Sequence, residues 1–178
     1  AAKAGSYNER IELTTDDPFP DAVLHPRGAR VPRRGPLDPK LFRRVVAELE
    51  QQDDSLVVLG GFGDPLRHPQ FVELLTALRP AGARPGGVYG VCIRTRAVDL
   101  TDNLIEALID SRVDVLEVIL DAWSPRLFAE LAGCKSPESA SLEQVLSRIE
   151  RVTALREQRG SAVPIVVPEF TKSRLNVQ

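Results

Sequence analysis

The chain has 178 residues, 43% of them hydrophobic and 27% charged, with a formal net charge of -2 and a pI near 5.8. This is enough apolar material for one domain with a real core, and the charge balance excludes a generally basic nucleic-acid binder. No apolar run approaches the ~20 residues of a membrane span and no signal-peptide core opens the chain, so a soluble cytoplasmic protein is expected.

The opening AAKAGS reads as a tag remnant, which assigns residues 1–10 to a flexible N-terminus and 11–178 to one domain. The chain contains no methionine, initiator included, which points to a processed chain or to a piece of something longer. A local positive run at 27–34 is not enough to make nucleic acid an expected partner. The two cysteines, Cys92 and Cys134, lie in different elements without CxxC spacing, so no disulfide is expected and both read as small buried hydrophobes.

Residues 11–15 read as a short strand, followed over 38–51 by Leu41, Val45, Val46 and Leu49 at helical spacing, with Pro39 near the first turn. Residues 55–59 form a continuous apolar strand that ends in glycines, and 69–78 the next amphipathic helix. A third strand over 88–95 precedes a helix over 101–111, opened by capping residues and carrying Leu104, Ile105, Leu108 and Ile109 on one face. A fourth strand over 115–120, helices over 125–131 and 142–159, and a fifth strand over 163–167 complete the pattern, with Gly160 closing the longer helix. Strands alternating with helices in this way predict right-handed crossovers and a mostly parallel α/β sheet, a partial TIM-type (β/α) barrel of about five units.

Such a sheet places its chemistry at the carboxyl ends of its strands. The second strand ends in GGFGDP (60–65), the third in Arg94, Thr95, Arg96 and Ala97, the fourth in Asp121 and Ala122, and the fifth leads into Glu169 and Lys172. The run GFGDPLRHP at 61–69 resembles the GFGEPLLHP motif of radical SAM enzymes. PLDPKLFRRV before the second strand, LTDNLIEALI after the third, VDVLEVILD into the fourth and PIVVPEFTK at the fifth are similar to the pattern of that family in the same order, the last resembling members with a cysteine-rich C-terminal extension. The resemblance implies a residual S-adenosylmethionine site at Gly61, Gly63, Asp64, Pro65, Thr95 and Asp121.

The family's CxxxCxxC follows the first strand and usually ends in CysPro, where this chain has His25 and Pro26. The family spacing puts the three cluster-ligand positions at Pro18, Ala22 and His25, none of them cysteine. An iron–sulfur cluster held this way needs thiolates; proline and alanine cannot ligate iron, and one imidazole does not hold a cluster. The resemblance therefore implies a radical-SAM-like domain without its cluster and without radical generation by the usual route. The family's ThrAsnGly is Thr95, Arg96 and Ala97 here, its glutamate is Asp64, and its LeuAspGly is Leu120, Asp121 and Ala122. Binding of S-adenosylmethionine remains an allowed expectation, weakened by the missing iron chelation.

Each singled-out residue also has a plain reading. Asp64 suits a turn, Asp121 a cap for the following helix, Glu169 and Lys172 a solvated pair, His68 a packing position beside a helix start, and Trp123 a core or helix-staple position. Three functions follow. The preferred one is a non-catalytic structural, regulatory or partner-binding module of a larger protein. The second is an enzyme of another class, in which the acidic mouth of Asp64, Asp121 and Glu169, with Arg94, Arg96 or Lys172, takes a divalent metal or an anionic substrate. The third is a radical SAM enzyme with an atypically held cluster. The family's barrel has six units, so an open sheet edge is expected here, as a surface for self-association, for a protein partner or for a further C-terminal region.

Overall fold

The structure is a computed structural model and describes residues 7–24, 34–49, 55–79, 89–133 and 141–177. In chain order the elements are β1 (Tyr7–Ile11), α1 (Pro39–Leu49), β2 (Ser55–Leu59), a 3-10 turn (Pro65–Arg67), α2 (Phe71–Leu78), β3 (Tyr89–Thr95), α3 (Asp102–Asp110), β4 (Val115–Ile119), α4 (Pro125–Ala132), α5 (Leu142–Gln158) and β5 (Ile165–Glu169). The strands form one parallel sheet in the order β1-β2-β3-β4-β5, and the sheet is not closed.

When every strand is added on the same side and the crossovers are right-handed, all helices fall on one face. The register bears this out. Leu59, Ile93 and Leu116 are Cα partners across β2, β3 and β4, and all three are fully buried in the same core as Phe42, Leu74 and Leu108 of the helices. Their neighbours Val58, Cys92 and Val115 point to the opposite face and stand outside that core. The helices start where side-chain oxygens meet free amides: Thr101 accepts from the Leu104 N–H, Ser124 from the Leu127 N–H, and Ser141 and Gln144 form a reciprocal capping box.

The two edge strands depart from the sequence expectation. β1 covers Tyr7–Ile11 rather than 11–15, so residues 7–10, expected in a flexible N-terminus, pair with β2. The alternation at 11–15 is real but serves another purpose: Glu12, Leu13 and Thr14 leave the ladder to pack against the glycine-rich loop, with the Leu13 carbonyl accepting from the Leu37 N–H. β5 is Ile165–Glu169 rather than 163–167, because the Ser161 hydroxyl takes the Val163 N–H and the ladder begins at the Ile165 N–H on the Asp114 carbonyl. Pro168 lies within β5, which an edge strand tolerates because one side needs no donor. Before α2, the backbone at 69–70 is a turn rather than helix, and the His68 ring nitrogen Nδ1 accepts from the Gln70 N–H.

Candidate functional site

The carboxyl ends of the strands make a mouth, and the space beside Arg96 in its β1–β3 half is filled by the chain itself, while an open cleft of about 570 Å³ lies between the loop after β1 and Arg67. In the glycine-rich loop the amides of Phe62 and Gly63 donate to one carboxylate oxygen of Glu12, which follows β1. Gly63 lies so close to the β1 loop that a Cβ there would stand 2.0 Å from the Thr14 carbonyl oxygen. Only glycine fits that approach.

Asp64 is buried and consumed by its neighbours. It accepts from the Leu66 N–H at 3.1 Å, the Arg96 N–H at 2.8 Å, and the Thr95 hydroxyl at 2.8 and 2.9 Å from its two oxygens. Burial pushes its carboxyl above the ordinary carboxylate range, and the Arg96, Thr95 and Leu66 donors oppose that rise. It therefore serves as the turn residue the sequence allowed, and also ties the end of β2 to the end of β3. Pro65 opens the 3-10 turn that follows.

Arg96 extends into the loop after β1. Its Nε lies 3.2 Å from a carboxylate oxygen of Asp17, both side chains being buried, and its guanidinium carbon lies 5.5 Å from the centroid of the Phe19 ring. Phe19 meets Phe128 of α4 edge to face at 5.7 Å. The cavity left beside Arg96, Ala22 and Phe128 is about 10 Å³, room for one water molecule at most. Among the described residues Arg96 Nη2 has no hydrogen-bond partner. Ala97 adopts a left-handed turn, at φ 56°.

Of the three degenerate ligand positions, Pro18 is half-buried, Ala22 is buried, and His25 lies outside the described residues. Neither Pro18 nor Ala22 offers a donor atom for iron, and the guanidinium and aromatic rings beside Ala22 occupy the space. Among the described residues, Pro18 and Ala22 thus supply no ligand to an iron–sulfur cluster.

The β4–β5 half is built differently. Arg94 bridges β3 to β5 through two 2.7 Å hydrogen bonds to Glu169, and Glu117 lies 3.6 Å from its Nε. Burial alone would lower the Arg94 pKa, but the bonds and charges of Glu169 and Glu117 outweigh it and the net direction is upward. Asp121, at φ 54°, accepts from the Thr171 N–H at 2.8 Å, while its carbonyl accepts from the Asn176 amide at 2.9 Å. Asn176 also donates to the Thr171 carbonyl and accepts from the Ser173 N–H, so the C-terminal turn is fastened to the end of β4.

Several sequence readings change accordingly. Ser124, not Asp121, caps α4. Glu169 is not a partner of Lys172 but of Arg94. Trp123 is 69% exposed rather than in the core, because Phe128, the residue that would staple it, turns inward onto Phe19. Asp64, Thr95 and Arg96 are brought together, whereas Asp64, Asp121 and Glu169 each have separate partners. Among the described residues no group of three or more His, Cys, Asp or Glu side chains is placed to hold a metal ion. His68 is buried and structural: Nδ1 accepts from an amide, which leaves Nε2–H to donate to the Leu37 carbonyl at 3.1 Å. Burial pushes the Cys92 thiol up to about 11, and Cys134 lies outside the described residues. Glu12, Asp17 and Asn176 escaped the sequence analysis, since nothing local marks an acid or amide whose partner lies some 50 or more residues away.

No protein-family model matches the chain. It is 21% identical over 148 residues to the tungsten-containing aldehyde ferredoxin oxidoreductase cofactor-modifying protein of Pyrococcus furiosus, covering 80% of this chain and 37% of that protein. Among solved structures it resembles anSMEcpe with bound AdoMet and Kp18Cys peptide, with a TM-score of 0.61, 12% identity, and coverage of 93% of this chain and 43% of the other. BtrN in complex with AdoMet and 2-DOIA gives a TM-score of 0.53 at 13% identity, covering 76% and 54%. The chain thus spans from about a third to about half of these proteins' lengths. These structures are radical SAM enzymes, and the chain has the α/β fold of that superfamily.

Proposed function

We propose that this chain is a non-catalytic module on the radical SAM fold, which holds no iron–sulfur cluster and acts by binding. The observation that supports this reading is the plugged part of the mouth. The Arg96 guanidinium, paired with Asp17 and lying against Phe19, fills the space beside Ala22, where the family resemblance puts a cluster ligand. Glu12 likewise takes the free amides of the glycine-rich loop. Removing these groups would leave buried charge and unmet amides, so the plug is part of the fold rather than a side chain waiting to be displaced.

A partner surface accompanies the loss of chemistry. Ile165 and Val167 of β5 are exposed on the open edge strand. An apolar edge strand is a template for pairing with a second copy or with another protein.

Anaerobic reconstitution with iron and sulfide, followed by an absorbance scan, tests the reading. A colourless protein is expected, and a brown one whose spectrum responds to S-adenosylmethionine would overturn it. In a separate thermal-shift measurement, a rise in melting temperature with S-adenosylmethionine alone that is lost on substitution at Asp64 or Thr95 would support residual binding at Gly61, Gly63, Asp64, Pro65, Thr95 and Asp121.

A further inference from the structure

The cleft between the start of α4 and the C-terminal turn is unused by this reading and has a volume of about 440 Å³, the size of a small-ligand site. Trp123 lines it with its indole 69% exposed, and Arg126 and Arg174 enter from opposite walls. Neither arginine has an ion-pair or hydrogen-bond partner among the described residues, whereas the surface residues Arg43, Arg151 and Arg159 are paired. The walls are fixed: Asn176 is buried and bonded to Asp121, Thr171 and Ser173, which holds Arg174 and Leu175 in place opposite α4. Glu130, on the same wall as Arg126, is the one acid lining the cleft, so two cations face a single negative charge.

From this arrangement we propose that the cleft binds a small anion that carries a flat ring, of the nucleoside monophosphate class. The ring stacks on the Trp123 indole, an interaction that is tolerant of ring identity. The phosphate lies between Arg126 and Arg174, whose planar donor forks match its oxygens. Arg126 stands in the first turn of α4, where the helix dipole disfavours a lone cation, and a bound anion offsets that cost. Because the walls are preorganised by Asn176, little ordering entropy is lost on binding.

Trp123 is the single tryptophan of the chain, so its fluorescence reports on this cleft alone. The test titrates the 178-residue protein with adenosine monophosphate, adenosine, inorganic phosphate and S-adenosylmethionine in separate arms. Saturable quenching by adenosine monophosphate is expected, with adenosine and phosphate each weaker by roughly tenfold or more, since each satisfies half of the site. S-adenosylmethionine, which has the ring but a cationic sulfonium and no phosphate, should bind no better than adenosine. Arg126→Gln and Arg174→Gln should each weaken adenosine monophosphate roughly tenfold without moving the melting temperature. Arg159→Gln, on the far end of α5, should leave binding unchanged. Absence of saturable quenching at millimolar adenosine monophosphate, equal binding of adenosine, or equal weakening by all three substitutions would each overturn the proposal. Iron loading does not enter these readouts, so failure here leaves the cluster question where it stands.

Discussion

The two halves of one mouth are fastened in different ways. On the β1–β3 side the strand ends are knotted together by Glu12, Asp17, Asp64, Thr95 and Arg96, leaving about 10 Å³ beside Arg96, while a cleft of about 570 Å³ stays open between the loop after β1 and Arg67. On the β4–β5 side the fastening is done by Asp121 and Asn176, and a cleft of about 440 Å³ stays open with Trp123, Arg126 and Arg174 around it. Polar groups at a strand end are therefore not in themselves a site. What matters is whether their bonding capacity has already been taken up from within.

Substitutions can break that contrast or sharpen it. The largest effect is expected from Asp17→Ala, which leaves the buried Arg96 guanidinium without its counter-ion and should cost about 4 kcal/mol in denaturant unfolding. Gly63→Ala should cost about 3 kcal/mol, because the new methyl meets the Thr14 carbonyl and forces the β1 loop away from the glycine-rich turn. Ala97→Gly should change stability by less than about 1 kcal/mol, since relief of the strain of alanine at φ 56° is offset by the loss of a buried methyl and by glycine's freedom in the unfolded chain. On the open side, Trp123→Ala should change the melting midpoint by less than about 0.5 kcal/mol equivalent, since the indole is mostly in solvent. A loss of several kcal/mol there would mean that the cleft is structural after all.

The smallest effect is chemical. With its pKa pushed up to about 11, the Cys92 thiol should resist alkylation at neutral pH in the folded state and react once the chain is unfolded. The sign follows from the raised folded value. The contribution of neutral Cys92 to stability is complete below the ordinary thiol pKa of 9.0 and is lost as pH rises through about 11. Rapid labelling of Cys92 in native protein at pH 7.5, located by mass spectrometry, would contradict its placement.

The parts of the fold that the sequence disclosed were the interior ones. β2, β3 and β4 are flanked by other strands and buried on the helix side, so their apolar runs are long and their bounds follow. β1 and β5 lie at the edges, where burial imposes less pattern, and both were misplaced, β1 because Leu13 is buried although it lies beyond the ladder. The residues of the mouth were located correctly at the strand ends, but the chemistry of Asp64, Asp121 and Glu169 depended on distant partners. Thr95, Thr171 and Arg94 are not deducible as those partners from local spacing. Trp123 was misread because an aromatic before a helix cap normally packs on the residue four positions into the helix, and here Phe128 is engaged by Phe19 instead.

Metal analysis of freshly purified, oxygen-protected protein tests most directly the proposal that this chain holds no iron–sulfur cluster. Fewer than about one iron per chain is expected, with no acid-labile sulfide, whereas about four of each per chain would contradict the account.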